Sequence, residues 1–349
     1  MRKPALKVTL TLAIALLLSA GRARAHSGAE YAADEKQPPP TFKVQKVGER
    51  LYALFGRGGN VGFLVTDRGV AVVDDQYREM APGILDEIKK ITDKPIRYLI
   101  NTHFHADHTG GNPVFQSIAE IVAHDAVRPR LLEYPMTVQK TFPARVQSLE
   151  TEIEAIKDPA DPYRDALTRN VGIMKFMIDT FKDFSPETAA PPVITYDSRA
   201  TLWLGDEPVT LIHIAPGHTD GDTMVWFPKE KVLHAGDLMF NGMMPFIDVD
   251  GGGSGLGYIK SLDWVLENVP ADTQVIPGHG PVTDMAGLRH FRDFLKDVDV
   301  AVEKAVKKGM SRVEAARTIK LEAYSDMKQD FRTLANEVLV FYDEIHVRK

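Results

Sequence analysis

The 349-residue sequence contains no cysteine. Disulfides and thiolate metal ligands are therefore excluded, and no cysteine sulfur is present for oxidising conditions to damage. The strand-turn-helix serine signature of a nucleophile elbow is also missing, as is any internal repeat or low-complexity array. A glycine-rich run, Asp250-Gly251-Gly252-Gly253-Ser254-Gly255, has neither a strand before it nor a Gly-Lys-Ser/Thr ending, so it is no phosphate cradle; it reads as a mobile loop at a site rim.

Long apolar runs are lacking too. Val8 to Ala20 falls short of the about 20 residues that a bilayer span needs. Arg2, Lys3 and Lys7 precede it and Ala23-Arg24-Ala25 follows it, the pattern of a secretory signal peptide over residues 1–25, cleaved before His26. The expected localisation is periplasmic or secreted, with no membrane anchor after cleavage. The segment carries five basic residues and no acidic one, so its loss moves the formal charge from −6 to −11. An acidic chain is poorly suited to neutralising a phosphate backbone. A small-molecule substrate is expected, and no nucleic acid.

What the sequence does have is concentrated in Asn101-Thr102-His103-Phe104-His105-Ala106-Asp107-His108-Thr109-Gly110-Gly111-Asn112. This stretch follows Ile96 to Ile100, an apolar run of strand length. Three histidines and a carboxylate just past a strand end are hard to explain as packing. Where the backbone turns in a loop, His103 and His105 can aim both imidazoles at one cation, while Asp107 and His108 point past it towards a second. Imidazole nitrogen with carboxylate oxygen suits zinc or another borderline divalent metal.

The pattern H-x-H-x-D-H followed by T-G-G-N resembles the signature loop of the metallo-β-lactamase superfamily. Gly217-His218-Thr219, Gly236-Asp237 and Gly278-His279-Gly280 then follow in that family's order, and the resemblance covers roughly residues 41–284. It implies that His103, His105 and His218 hold a first metal, that Asp107, His108 and His279 hold a second, and that Asp237 bridges the two. The implied cofactor is two Zn2+ per chain, with iron or manganese left open. The implied chemistry is hydrolysis by a hydroxide shared between the metals, with Asp107 as the catalytic residue that orients it. Glycines beside the ligands, among them Gly110, Gly111, Gly217, Gly236, Gly278 and Gly280, let the backbone turn tightly.

The resemblance also implies an α+β fold, an αββα sandwich with a helical insertion and extra C-terminal helices. The expected organisation is a signal peptide (1–25), a Pro-ending linker (26–40), a metallo-β-lactamase-like domain (41–284) with an insertion at about 125–192, and C-terminal helices (285–349). Strand signals run through 42–44, 51–55, 61–66 and 70–73, and again through 193–196, 200–204, 209–214, 224–227, 232–234 and 274–276. Met80, Ile84, Leu85, Ile88 and Ile91 have helical spacing, as do two stripes, Leu288 to Val298 and Leu334 to Ile345. Residues 125–184 read as helices broken near Asp158-Pro159 and Asp161-Pro162. They are either outer packing or a lid that offers Met174, Phe176 and Met177 to the site.

Asp74 reads either as a turn residue or as an acid beneath the metal loop. His124 reads as a packed or substrate-facing histidine rather than a seventh ligand. His213, His234, His290 and His346 read as structural, and Asp220 and Asp222 as turn formers. The leading function is an exported dinuclear zinc hydrolase of an ester, thioester, lactone or amide. One alternative is a true β-lactamase, against which no Lys follows Asp237 in Leu238-Met239-Phe240. Another is a non-haem iron oxidoreductase on the same fold, against which His105 stands where the diiron members carry Glu.

Overall fold

Four antiparallel strands open the chain in this computed structural model, which describes residues 41–347: β1 Lys43–Lys46, β2 Leu51–Phe55, β3 Val61–Thr66 and β4 Gly69–Val73. The signal-peptide and linker readings for residues 1–40 lie outside the described residues. Helix α1 (Ala81–Lys89) follows, with a proline in its first turn as its fixed φ favours. The chain then enters β5 (Ile96–Ile100), the short helices α2 (Ala106–Thr109) and α3 (Asn112–Phe115), and β6 (Glu120–His124). The insertion is α4 (Val127–Ala155) and α5 (Pro162–Thr180). The break falls where the prolines place it, and the Asp161 carboxylate caps α5 by accepting from Tyr163 N.

The second half contains β7 Ile194–Tyr196, β8 Arg199–Leu204, β9 Glu207–Ile212, β10 Met224–Phe227, β11 Val232–Phe240, α6 Gly255–Asn268, β12 Gln274–His279 and β13 Thr283–Asp284. It ends in α7 (Met285–Lys307), α8 (Arg312–Thr318) and α9 (Leu334–Val347). One sheet has the order β1-β2-β3-β4-β5-β6-β7 and the other β13-β12-β11-β10-β9-β8. Pairing is parallel from β4 through β7 and between β11 and β12.

Burial shows why the short apolar runs are strands. In β4 every residue is buried, because Val70 and Val72 face α1 while Ala71 and Val73 face the opposite sheet. Ala53, Leu64 and Val122 meet Leu211, Val225 and Ile276 between the sheets. The outer face of the second sheet packs on α6, α7 and α9, where Leu288, Phe291, Leu295 and Val298 form the buried stripe that the sequence predicts. The architecture is the αββα sandwich, and the extra C-terminal helices pack on its core.

Candidate metal centre

Parallel strands bring the site together, since the loops after their carboxyl ends gather on one edge of the molecule. Asp74 follows β4, the histidine loop follows β5, Asp237 lies within β11 and His279 ends β12. β11 is longer than its sequence signal, Val232 to His234. The pairing register with β12 shifts on both sides of Gly236, and Gly236 itself has a φ of 52°. This bulge takes Asp237 out of the regular ladder and aims it at the histidines. A Cβ on Gly278 would overlap Asp237 Oδ1, so glycine there leaves the carboxylate its place.

All seven sequence-predicted ligands converge. His218 Nε2 lies 2.9 Å from His105 Nδ1 and 3.2 Å from His103 Nε2. On the other side, His279 Nε2 lies 3.4 Å from His108 Nε2 and 3.3 Å from Asp107 Oδ2. Asp237 stands between the groups: its Oδ1 is 3.1 Å from His108 Nε2, and its Oδ2 is 3.4 Å from both His218 Nε2 and His279 Nε2. His124 is outside these groups and stacks on His213 with ring centroids 3.9 Å apart. His234 is buried in β11 with Nε2 3.0 Å from the Asn60 carbonyl, and His290 and His346 lie on α7 and α9.

The outward nitrogens explain how the inward ones are left. His105 donates from Nε2 to Asp248 Oδ2 (2.8 Å), His108 from Nδ1 to Asp74 Oδ2 (2.7 Å), and His218 from Nδ1 to the Phe246 carbonyl (2.5 Å). The Thr102 hydroxyl donates to Asp74 Oδ2, so the 3.1 Å contact with His103 Nδ1 is one in which the imidazole donates. A neutral imidazole that donates outward presents a bare lone pair inward. Several such nitrogens crowd within about 3 Å of one another, and Asp237 Oδ1 is buried without a hydrogen bond. A cation among them satisfies every one of these atoms, so the donor set fits a divalent metal.

Burial opposes a charged His108, but Asp237, Asp107 and Asp74 outweigh it and push its pKa up, so a metal bound there displaces a proton. Burial works against ionised Asp237, but the imidazoles of His108, His279 and His218 outweigh it and hold the pKa well below the carboxylate range. Burial likewise opposes ionised Asp107, yet His108 and His279 bring it down to about 2. His218 is lowered to about 4, chiefly by burial.

Residues without a local motif support this framework. Asp248 holds His105 and also accepts from Tyr134 OH of α4 at 3.0 Å. Tyr258 of α6 donates to the Asp237 carbonyl. Asp74 is buried at a φ of 60° and accepts from Thr102 N at 2.7 Å, so it lies beneath the metal loop rather than being a plain turn residue. Asp222 forms the turn that carries His218, accepting from Gly217 N and Thr219 N. The glycine-rich run, read as a mobile loop at the rim, is a bonded turn that lines a cavity beside the site. Gly253 N donates to the Asp248 carbonyl and Ser254 N to that of Gly217, against His218.

A cavity of about 170 Å³ opens over the two groups, walled by Tyr77, Phe176, Met177, Phe240, Phe246 and Phe331 beside Asp107 and His279. Phe176 and Met177 belong to α5, so the insertion covers the site, whereas Met174 is buried between α4 and α5. No Lys or Arg lines this cavity among the described residues.

Comparison with known proteins agrees with this geometry. The family model of the metallo-β-lactamase superfamily matches residues 54–279. The metallo-β-lactamase type 2 of Elizabethkingia meningoseptica is 22% identical over 270 residues, covering 75% of this chain and 88% of that protein. The acyl-coenzyme A thioesterase MBLAC2 of Homo sapiens is 24% identical over 272 residues, 72% of this chain and 82% of that protein. The solved metallo-β-lactamase from Pontibacter korlensis superposes with a TM-score of 0.52 at 16% identity, covering 74% of this chain and 100% of that one.

Proposed function

The chain belongs to the metallo-β-lactamase superfamily and is a metal-dependent hydrolase, and from that premise we propose that it is a dinuclear zinc enzyme cleaving an apolar ester, thioester or lactone. The observation that carries this reading is the carboxylate of Asp237 set between two groups of inward-facing ligand atoms. His103, His105 and His218 would hold one ion, Asp107, His108 and His279 the other, and Asp237 both. An oxygen bridge in place of the thiolate of the best-known lactamase class makes the two sites chemically alike.

Bound there, two divalent ions supply an acidified water and polarise a carbonyl oxygen. The chain does the rest. Asp107, ionised at neutral pH, accepts a hydrogen bond from the attacking water and orients it. Asp237 fixes the distance between the half-sites. The wall of Phe176, Met177 and Phe246 seats the acyl group and excludes bulk water, which strengthens every charge interaction inside. No nucleophilic serine or cysteine is needed.

A β-lactam substrate is the second reading, favoured by the similarity to the Elizabethkingia enzyme. The lack of a Lys or Arg in the cavity wall, where a drug carboxylate would be gripped, weighs against it. Elemental analysis together with a hydrolysis panel of β-lactams, lactones, esters and thioesters tests the proposal. Zinc at two per chain with lactone or ester turnover supports it; iron, or turnover confined to β-lactams, defeats it. We also propose export, on the pattern in residues 1–25. Mass spectrometry of protein released by a Gram-negative host should find His26 at the terminus, and an intact Met1 in that fraction would refute it.

A further inference from the structure

The cavity over the metal ligands is too small for a substrate of ordinary size. It holds about 170 Å³, whereas sites that enclose a drug-sized ligand run to roughly 300–1,000 Å³. Room for the reacting carbonyl is there; room for the rest of the molecule is not. Next to it lies a second cavity of about 720 Å³. The two share Tyr134, Ile173, Met177 and Phe246 as lining, so the cavities adjoin at these side chains.

The larger cavity is built by parts added to the sandwich. Phe142 and Leu149 come from α4, Leu167 and Met174 from α5, and Leu339 and Val340 from α9, which lies beyond the matched residues 54–279. The cations on its wall are already paired. Arg145 binds Asp250 at 2.8 Å, Arg312 binds Asp343 at 2.7 Å, and the buried Arg332 is held by Glu337 at 3.4 Å. With its cations neutralised the wall gains little from an anionic group, while the apolar side chains gain from any hydrocarbon that displaces water.

We propose that this cavity binds the acyl chain of the substrate, an unbranched hydrocarbon arm of medium length, while its carbonyl sits over the metal ligands. The inference rests on the hydrolase reading and narrows it to acyl compounds. Met177 and Phe246, placed on both cavities, then line the passage between arm and carbonyl.

The test is calorimetric binding of free saturated fatty acids, from butanoate to dodecanoate, to the intact protein. Affinity should rise about fourfold per added methylene, the factor that burying one methylene supplies. Leu149 is half-buried on the cavity wall, so the larger side chain of Leu149→Trp can enter the space. It should abolish the gain for the longer acids and leave butanoate unchanged, while Leu149→Ala keeps the gain. A flat dependence on length, or a gain that Leu149→Trp leaves intact, overturns the proposal. Hydrolysis of 4-nitrophenyl butanoate, with its loss in His279→Ala, reports on the hydrolase reading alone. Butanoate ester turnover with length-independent binding removes the acyl site and keeps the hydrolase. Length-dependent binding with no ester turnover does the reverse.

Discussion

Asp74 accepts from His108 Nδ1 at 2.7 Å and, through the Thr102 hydroxyl at 2.8 Å, also sets the proton of His103. One buried carboxylate thus orients a ligand in each half-site. Asp74→Asn should keep the backbone, because Asn tolerates the left-handed φ of 60° found there. Its amide has a single acceptor oxygen where the carboxylate has two. Both metal-binding steps should weaken, each by about 10–100-fold, the usual cost of losing a partner behind a metal-bound imidazole. Competition with a chelator measures the two steps. If only the step that involves His108 weakens, the Thr102 relay does not act on His103.

The second half-site should be separable from the first. His279 contributes to the group with Asp107 and His108 and not to that of His103, His105 and His218. His279→Ala should therefore reduce bound metal from two ions per chain to one at saturating zinc and neutral pH, read by elemental analysis after desalting. Loss of both ions would mean that the half-sites fill only as a unit.

Proton competition should be visible in the same experiment. Burial opposes a charged His279, but Asp237 and Asp107 outweigh it and push its pKa up to about 9. The unfolded value is about 6.5. Protonation therefore stabilises the metal-free fold fully below pH 6.5, and this contribution disappears as pH rises through 9. The metal-free Tm should fall across that window. Metal must displace the proton, so affinity for the second ion should rise by up to about tenfold per pH unit from pH 7, the rise shrinking as pH nears 9 and then levelling off. A pH-independent affinity would show that His279 is neutral in the metal-free protein.

The ligands were legible because the histidine motif follows a strand signal and His218, Asp237 and His279 each stand beside a glycine, in the order of the superfamily; their division into two groups is what that resemblance implies. Their supports were not. Asp248 lies in Asp248-Val249-Asp250-Gly251-Gly252, where an acid among glycines reads as a turn former, and nothing local links it to His105, which is 143 residues away. Tyr134 and Tyr258 sit on helices whose apolar stripes account for an aromatic residue by packing, so their hydroxyl partners leave no trace in sequence. Thr102 was in plain view within the motif, yet its role depends on the fold placing Asp74 opposite. Helix α8 did carry a signal: Ser311 and Glu314 form a capping box, which a reading built on long apolar stripes passes over. The length of β11 was hidden by its bulge, since a shifted register interrupts the alternation that marks a strand.

The bulge makes Asp237 the most exacting test of the site. Its carboxylate reaches both half-sites, with Oδ1 beside His108 and Oδ2 equidistant from His218 of one group and His279 of the other. Tyr258 holds its backbone carbonyl, and Gly278 leaves space for its side chain. Asp237→Ala removes the group common to both metals and leaves six other ligands in place. The half-sites should still fill, but at a spacing no longer fixed. Turnover should then fall on the order of 10²-fold or more, the scale on which small displacements of reacting groups matter. KM should change less, because the apolar walls rather than Asp237 hold the acyl group. Asp237→Cys restores a ligand, but a soft one that makes the two sites unequal; it should bind zinc and turn over poorly. Steady-state kinetics beside elemental analysis decide the matter. Wild-type kcat in Asp237→Ala with two ions bound would show that the carboxylate does not set the reacting geometry, and the bridging assignment would fail.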